Sequence, residues 1–379
     1  MRAVIALVIA ATAWAAEPAP VFVYAGTGGE EWMKAAAALG WEVVSAPEAL
    51  PDDAGARSVA AALENARKRR ETDPTRTYLA GAGVGTASVF YLASRLPGVW
   101  AAALAASGNP TPAIDTNRLF GANAQDVPVL WAAAPQEEAV LAPVRKRLMA
   151  AGFDIEFRTD NVTIGAALEW LATHKRTPFP PKVDCETGNP EFARCDWVSV
   201  AKFDPAQRND VLPSSRVTPG SGARLALGGF GYSTEAPGSG ITITWLQPGY
   251  SGPLRLQDRM VSVGGHAIKD PHDYAAFMAS QQEDKNTAIV VERGRARVRL
   301  ETRIAIPRRE ENFTARIQAE FLQDSRELLV ISRGVSALRI TLPAFWTPSS
   351  INWNGTDAGK PDAPGCWLLV WGAQAQKCE

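Results

Sequence analysis

The chain has 379 residues, 46% of them hydrophobic and 21% charged, enough for two or three globular domains with real cores. Lys and Arg total 39 against 40 for Asp and Glu, so the net charge is −1, which excludes a dedicated nucleic-acid binder with its basic surplus. The three histidines (His174, His266, His272) restrict metal sites and general-base chemistry, and four cysteines are too few for a disulfide scaffold.

Met1-Arg2 precedes an apolar run over residues 3–13 and then Ala13-Trp14-Ala15. A basic start, a short apolar run and a small-x-small site have the form of a secretory signal peptide over residues 1–15. At about a dozen residues the run falls short of the roughly 20 needed to span a bilayer. The expectation is a secreted or periplasmic protein with no integral membrane segment after signal removal; an uncleaved anchor is the alternative. Export permits disulfides. Cys185 and Cys195 bracket a turn-rich stretch, and Cys366 and Cys378 bracket the last strand and tail. Local pairing is favoured among the three connectivities, and neither spacing is C-x-x-C, so no zinc or other metal is expected.

Strands and helices alternate over residues 21–174. Strands are predicted at 21–24, 41–45, 76–80, 100–106, 127–132 and 153–158. Helices are predicted at 30–39, 55–70, 84–96, 137–151 and 163–175. This spacing means βαβ units and a mainly parallel sheet with helices on both faces. Thr177-Pro178-Phe179-Pro180-Pro181 is a proline-rich exit. Beyond it the pattern turns to strands, at 194–203, 241–247, 286–293, 296–306, 313–321, 327–332 and 337–342, with one clear helix near 272–281. Residues 213–222 read as a linker.

The most informative stretch is Gly81-Ala82-Gly83-Val84-Gly85, lying between a predicted strand and a predicted helix. That is the setting of the nucleophile elbow, in which flanking glycines permit a tight turn and the central Ser, Cys or Asp attacks. The central residue here is Gly83, which has no side chain with which to attack. A glycine-rich turn in an ordinary α/β domain is the plain alternative.

From Val21 to about Trp197 the chain resembles the secreted α/β-hydrolase esterases related to polyhydroxybutyrate depolymerases and phospholipase/carboxylesterases. The resemblance rests on Ala25-Gly26-Thr27-Gly28-Gly29, the elbow, Arg95-Leu96-Pro97, Trp100-Ala101-Ala102-Ala103 to Ser107-Gly108, and His174-Lys175-Arg176-Thr177-Pro178-Phe179-Pro180. It implies an α/β-hydrolase-like domain over 19–180 with a degenerate triad. Where the family has a Gly-x-x-Asp turn, this chain has Ala133-Ala134-Pro135-Gln136-Glu137-Glu138, so only Glu137 could supply the acid. No histidine occurs near 161–164, and Ala25 replaces the oxyanion-side histidine. Ser88, Asp115 or Glu137 remain as parts of an unrelated apparatus.

Residues 225–307 resemble a PDZ domain. Gly229-Phe230-Gly231-Tyr232 has the form of its carboxylate-binding loop, Leu256 to Gly265 its central run, and Asp270-Pro271-His272-Asp273-Tyr274 the start of its groove helix. Gln257 replaces a usual Gly and Gly264 a usual Asn. The fold implies β-augmentation by a peptide whose terminal carboxylate meets backbone N–H groups. His272 either touches a ligand or is simply solvated, and the module either binds or only packs. Residues 181–224 and 308–379 resemble the small β module that trails some of these esterases, with the PDZ segment inserted and Trp346 and Trp353 as core. Three functions follow: an exported non-catalytic protein whose PDZ module binds protein partners or peptide C-termini, with no cofactor; an active secreted serine-type esterase with an atypical site; or a purely structural assembly.

Overall fold

The computed structural model describes residues 17–220, 222–233, 237–306 and 312–378; the expected signal peptide lies outside them. The first region runs β1 (Ala19–Ala25), α1 (Glu30–Ala38), β2 (Glu42–Ala46), α2 (Asp53–Arg69), β3 (Thr72–Ala82), α3 (Gly85–Arg95) and β4 (Ala102–Ala106). It continues with α4 (Thr111–Asp115), β5 (Val129–Ala132), α5 (Glu138–Ala150), β6 (Ile155–Arg158) and α6 (Ile164–Ala172). All six strands are parallel, in the order β2-β1-β3-β4-β5-β6.

Parallel strands covered on both faces read as continuous apolar runs, and Val21-Phe22-Val23-Tyr24-Ala25 is such a run, buried throughout. Val21, Val23 and Leu79 pack with residues of α2, α3 and α5 on one face. Phe22, Tyr24 and Tyr78 pack with residues of α1 and α6 on the other. Helix α2 starts on Asp52, whose side chain accepts from Gly55 N at 2.7 Å.

The remainder is antiparallel apart from one strand pair. Two five-stranded sheets, β21-β20-β18-β17-β7 and β23-β22-β19-β9-β8, share one core, to which the first gives Ile317 and Leu328 and the second Val198 and Leu338. Their strands are β7 (Lys182–Thr187), β8 (Arg194–Cys195), β9 (Val198–Phe203), β17 (Ala315–Leu322), β18 (Glu327–Arg333), β19 (Val335–Leu342), β20 (Ser350–Trp353), β21 (Thr356–Gly359), β22 (Gly365–Val370) and β23 (Gln376–Lys377). Trp346 and Trp353 are buried in that core. The two disulfides are local: Cys185–Cys195 joins the two sheets, and Cys366–Cys378 ties β22 to the last residues. A third sheet, β10-β16-β15-β13-β12-β11 with β14 beside β13, comes from the intervening chain. It comprises β10 (Arg224–Leu225), β11 (Phe230–Ser233), β12 (Ile241–Leu246), β13 (Arg259–Val263), β14 (His266–Ala267), β15 (Lys285–Arg293) and β16 (Ala296–Ala305), with α7 (Pro271–Ser280) against it.

Several elements differ from those expected, β13, β20 and β21 among them, which fall in stretches with no expected strand. The strand expected over 194–203 is broken after Cys195 by a turn at Asp196 (φ +48°) and Trp197. The strand expected from 100 starts at Ala102; Trp100 before it is buried, its Nε1 donating to the Leu92 carbonyl at 2.9 Å. β7 falls in a stretch with no expected strand; Lys182, Asp184 and Glu186 interrupt its apolar pattern.

Polar groups join the parallel sheet to the paired sheets. Asn123 donates to the carbonyls of Ser94 and Glu186 and accepts from Glu186 N, spanning from α3 to β7. The fully buried Glu186 carboxylate accepts from Ser214 Oγ (2.6 Å), Ser215 N (2.6 Å), Ser215 Oγ (2.8 Å), Thr314 Oγ1 (2.6 Å) and Arg333 Nη2 (3.1 Å). A buried carboxylate is tolerated when its lone pairs are filled in this way.

Candidate functional site

In an open parallel sheet, ligands meet the C-terminal ends of the strands where the strand order reverses. Here that point lies between β1 and β3, and the two ends are the turn 25–29 and the turn around Gly83. Close backbone approach dictates the flanking glycines. A Cβ on Gly81 would stand 2.8 Å from the Ala25 carbonyl oxygen, and one on Gly85 would stand 2.4 Å from it. Gly83 is different. It has φ +56°, its N–H donates to the Ala106 carbonyl at 3.0 Å, and a Cβ built on it would meet nothing within 4 Å. The bend therefore aims its central residue into open space, and that residue carries only hydrogen.

The other positions named from the sequence do not complete a triad. Glu137 Oε2 accepts from the Ala134 N–H at 2.8 Å, within its own turn. Where the imidazole was sought, Thr163 caps α6 through a hydrogen bond from Ala166 N. Ala25 is fully buried in β1. Ser88 is buried in α3 with its hydroxyl donated to the Ala49 carbonyl, and Asp115 is exposed at the end of α4.

All three histidines are among the described residues. The Tyr78 hydroxyl donates to the His174 carbonyl, and Arg176 N donates to the Thr75 carbonyl. These bonds put the end of α6 near the start of β3, about 20 Å along the strand from Gly83 at a rise of about 3.3 Å per residue. His266 lies 3.2 Å from Asp273 and stacks on Phe277, and His272 is exposed in the first turn of α7.

In the third sheet, β11 is an end strand bonded to β12. Gly229 N donates to Gln247 Oε1 at 3.1 Å, and Gly229 O accepts from Gln247 N at 3.0 Å, so a glutamine the sequence reading did not single out shapes the Gly229–Tyr232 loop. The Tyr232 ring meets that of Tyr274 on α7 edge-on at 5.3 Å, and burial pushes the Tyr274 hydroxyl far above its usual range. Gln257 holds the left-handed φ of +67° that glycine adopts freely, and Gly264 has φ +56°.

No family model matches the chain, and no curated protein matches it. One solved structure similar to part of it is a crystal structure of a thermostable esterase, 15% identical with a TM-score of 0.30, over 42% of this chain. The match spans 56% of that esterase's length.

Several clefts among the described residues lie away from Gly83. One of about 800 Å³ runs between α5, residues 214–220 and the end of α7. Two more, of about 310 and 490 Å³, meet at the Arg176–Asp196 ion pair (2.8 Å) beneath the parallel sheet. Among the described residues no group of His, Cys, Asp and Glu could hold a metal ion. No helix there is long and apolar enough to cross a membrane.

Burial raises the Asp196 carboxyl from 3.8 to about 6, against the pull of Arg176. The folded chain thus holds this proton more tightly than the unfolded chain, and stability falls as pH rises through that window, by up to about 3 kcal/mol for such a shift. In Asp196→Asn, denaturation curves are expected to lose that slope; an unchanged slope from about pH 4 to 7 would contradict the assignment. Gly83→Ser should cost about 1–2 kcal/mol through its positive φ, without a clash. Urea unfolding reads that cost, and a p-nitrophenyl acetate assay should show no gain; turnover above the parent would place a base where none is seen.

Proposed function

We propose that the chain is an exported, non-catalytic protein with a hydrolase-like parallel sheet over residues 19–180 and a PDZ-type module over 225–307 that binds peptide C-termini. In this reading the module is inserted into a small β domain formed by 181–224 and 308–379. The observation that carries the first half is the elbow-shaped turn at Gly83, open in front and without an imidazole on its edge of the sheet. Loss of a triad nucleophile or base typically costs on the order of 10⁶ in turnover, which no single remaining carboxylate restores. Two disulfides suit an oxidising compartment, in keeping with a secreted or periplasmic location.

The second half rests on the end strand β11 beside α7. A peptide would add as a further strand along β11, its terminal carboxylate at Gly229 and the residues that open β11, Phe230, Gly231 and Tyr232, with Tyr232 and Tyr274 beneath its last side chain. His272, exposed on the first turn of α7, would stand near a ligand side chain rather than its carboxylate. Full-length protein immobilised and challenged with a library of free C-terminal peptides should retain a subset. Amidation of those C-termini should weaken retention by about tenfold or more, since charge-assisted hydrogen bonds to the carboxylate are lost. No retained peptide would favour a purely structural assembly, and retention indifferent to amidation would contradict recognition of the C-terminal carboxylate.

A further inference from the structure

The cleft of about 490 Å³ opens at the far end of the parallel sheet from Gly83, where Pro74 lies in the first residues of β3 and Leu96 to Val99 follow α3. Four guanidinium groups line it, those of Arg67, Arg95, Arg176 and Arg194, with two carboxylates, Glu191 and Asp196. The pairings leave two cations over. Arg95 is engaged by Asp53 at 2.7 Å and Arg176 by Asp196 at 2.8 Å, while Glu191 is held by Arg57 at 2.8 Å. Arg67 makes no hydrogen bond or ion pair among the described residues, and Arg194 bonds only the Asp196 backbone carbonyl, at 3.4 Å. Partial burial and the like charge of Arg176 push the Arg67 pKa down, against the pull of Glu64 one turn back on α2, and Arg194 shares the field of Asp196 with Arg176. Apart from Thr341 the rest of the wall is apolar, with Leu96 and Phe179 half-buried and Phe192 and Trp197 buried.

We propose that this cleft binds a small organic carboxylate with an apolar body, its carboxylate between the Arg67 and Arg194 guanidinium groups and its body against Phe179 and Leu96. Guanidinium groups match a carboxylate in plane and number of donors, and their weak hydration suits a half-apolar site. The site shares no residue with the β11–α7 groove, so it stands or falls separately from peptide binding.

Fluorine NMR of 4-fluorobenzoate titrated with the full-length protein provides the test. Binding is expected, weakened about two- to fivefold by either Arg67→Gln or Arg194→Gln, the range for losing one exposed ion pair. It should be unchanged by Arg297→Gln on the exposed β16 edge. Both cleft arginines are exposed, so the variants should fold, and their melting curves are recorded alongside. Absence of binding would overturn the proposal, as would binding by both cleft variants equal to that of the parent protein. A drop in melting temperature for Arg67→Gln with binding intact would mean that Arg67 serves only the C-terminal dipole of α2. Displacement of the probe by inorganic phosphate at equal concentration would overturn the assignment to an apolar carboxylate.

Discussion

The chain between β3 and α3 has to pass directly beneath the carbonyl of Ala25, and much of the molecule's character follows from that contact. Two positions of the turn, Gly81 and Gly85, are closed to any Cβ by the oxygen above them. Between them the backbone must swing through a left-handed conformation at Gly83, which turns the central residue outward, at the crevice where strand order reverses. The outward-facing centre of the bend is thus set by packing alone. Glycine there avoids backbone strain of about 1–3 kcal/mol that a residue with a Cβ would meet.

The polar links between sheets give the remainder of the chain its footing. Glu186 gathers hydroxyls and an arginine from three separate segments, and Asn123 clasps the strand that carries it. Asp53 performs a parallel service at the start of α2: burial pushes its carboxyl up, but Tyr91, Arg95, Asn189 and Arg118 hold it below the ordinary range. Such fully partnered buried groups fix one arrangement of the sheets more than they add net stability.

The parallel sheet is legible in the sequence because its strands are buried on both faces and helices such as α1 end on clear signals like Gly40, whereas α2 begins at Asp53 behind its cap Asp52, ahead of the start expected at 55. The Gly81–Gly85 turn is legible because only a close approach explains glycines at that spacing. β7 is not legible: Asp184 and Glu186 look like solvent-facing charges until Arg316, Arg333 and the hydroxyls of Ser214 and Thr314 are brought to them from residues 28 to 147 positions away. The buried Asp196 turn and the unpaired arginines of the lower cleft are equally invisible, since their meaning lies in which distant charges do or do not arrive. Gln247 beside Gly229 belongs to the same class, a partner supplied by the neighbouring strand.

Whether any oxygen or sulfur in the β1–β3 crevice can still attack an electrophile is settled most directly by intact mass spectrometry of the full-length protein after incubation with a fluorophosphonate. The expected spectrum is that of the unmodified chain at every incubation time. A mass gain of one phosphonyl group, mapped by peptide sequencing to a residue bordering Gly83, would contradict the non-catalytic reading.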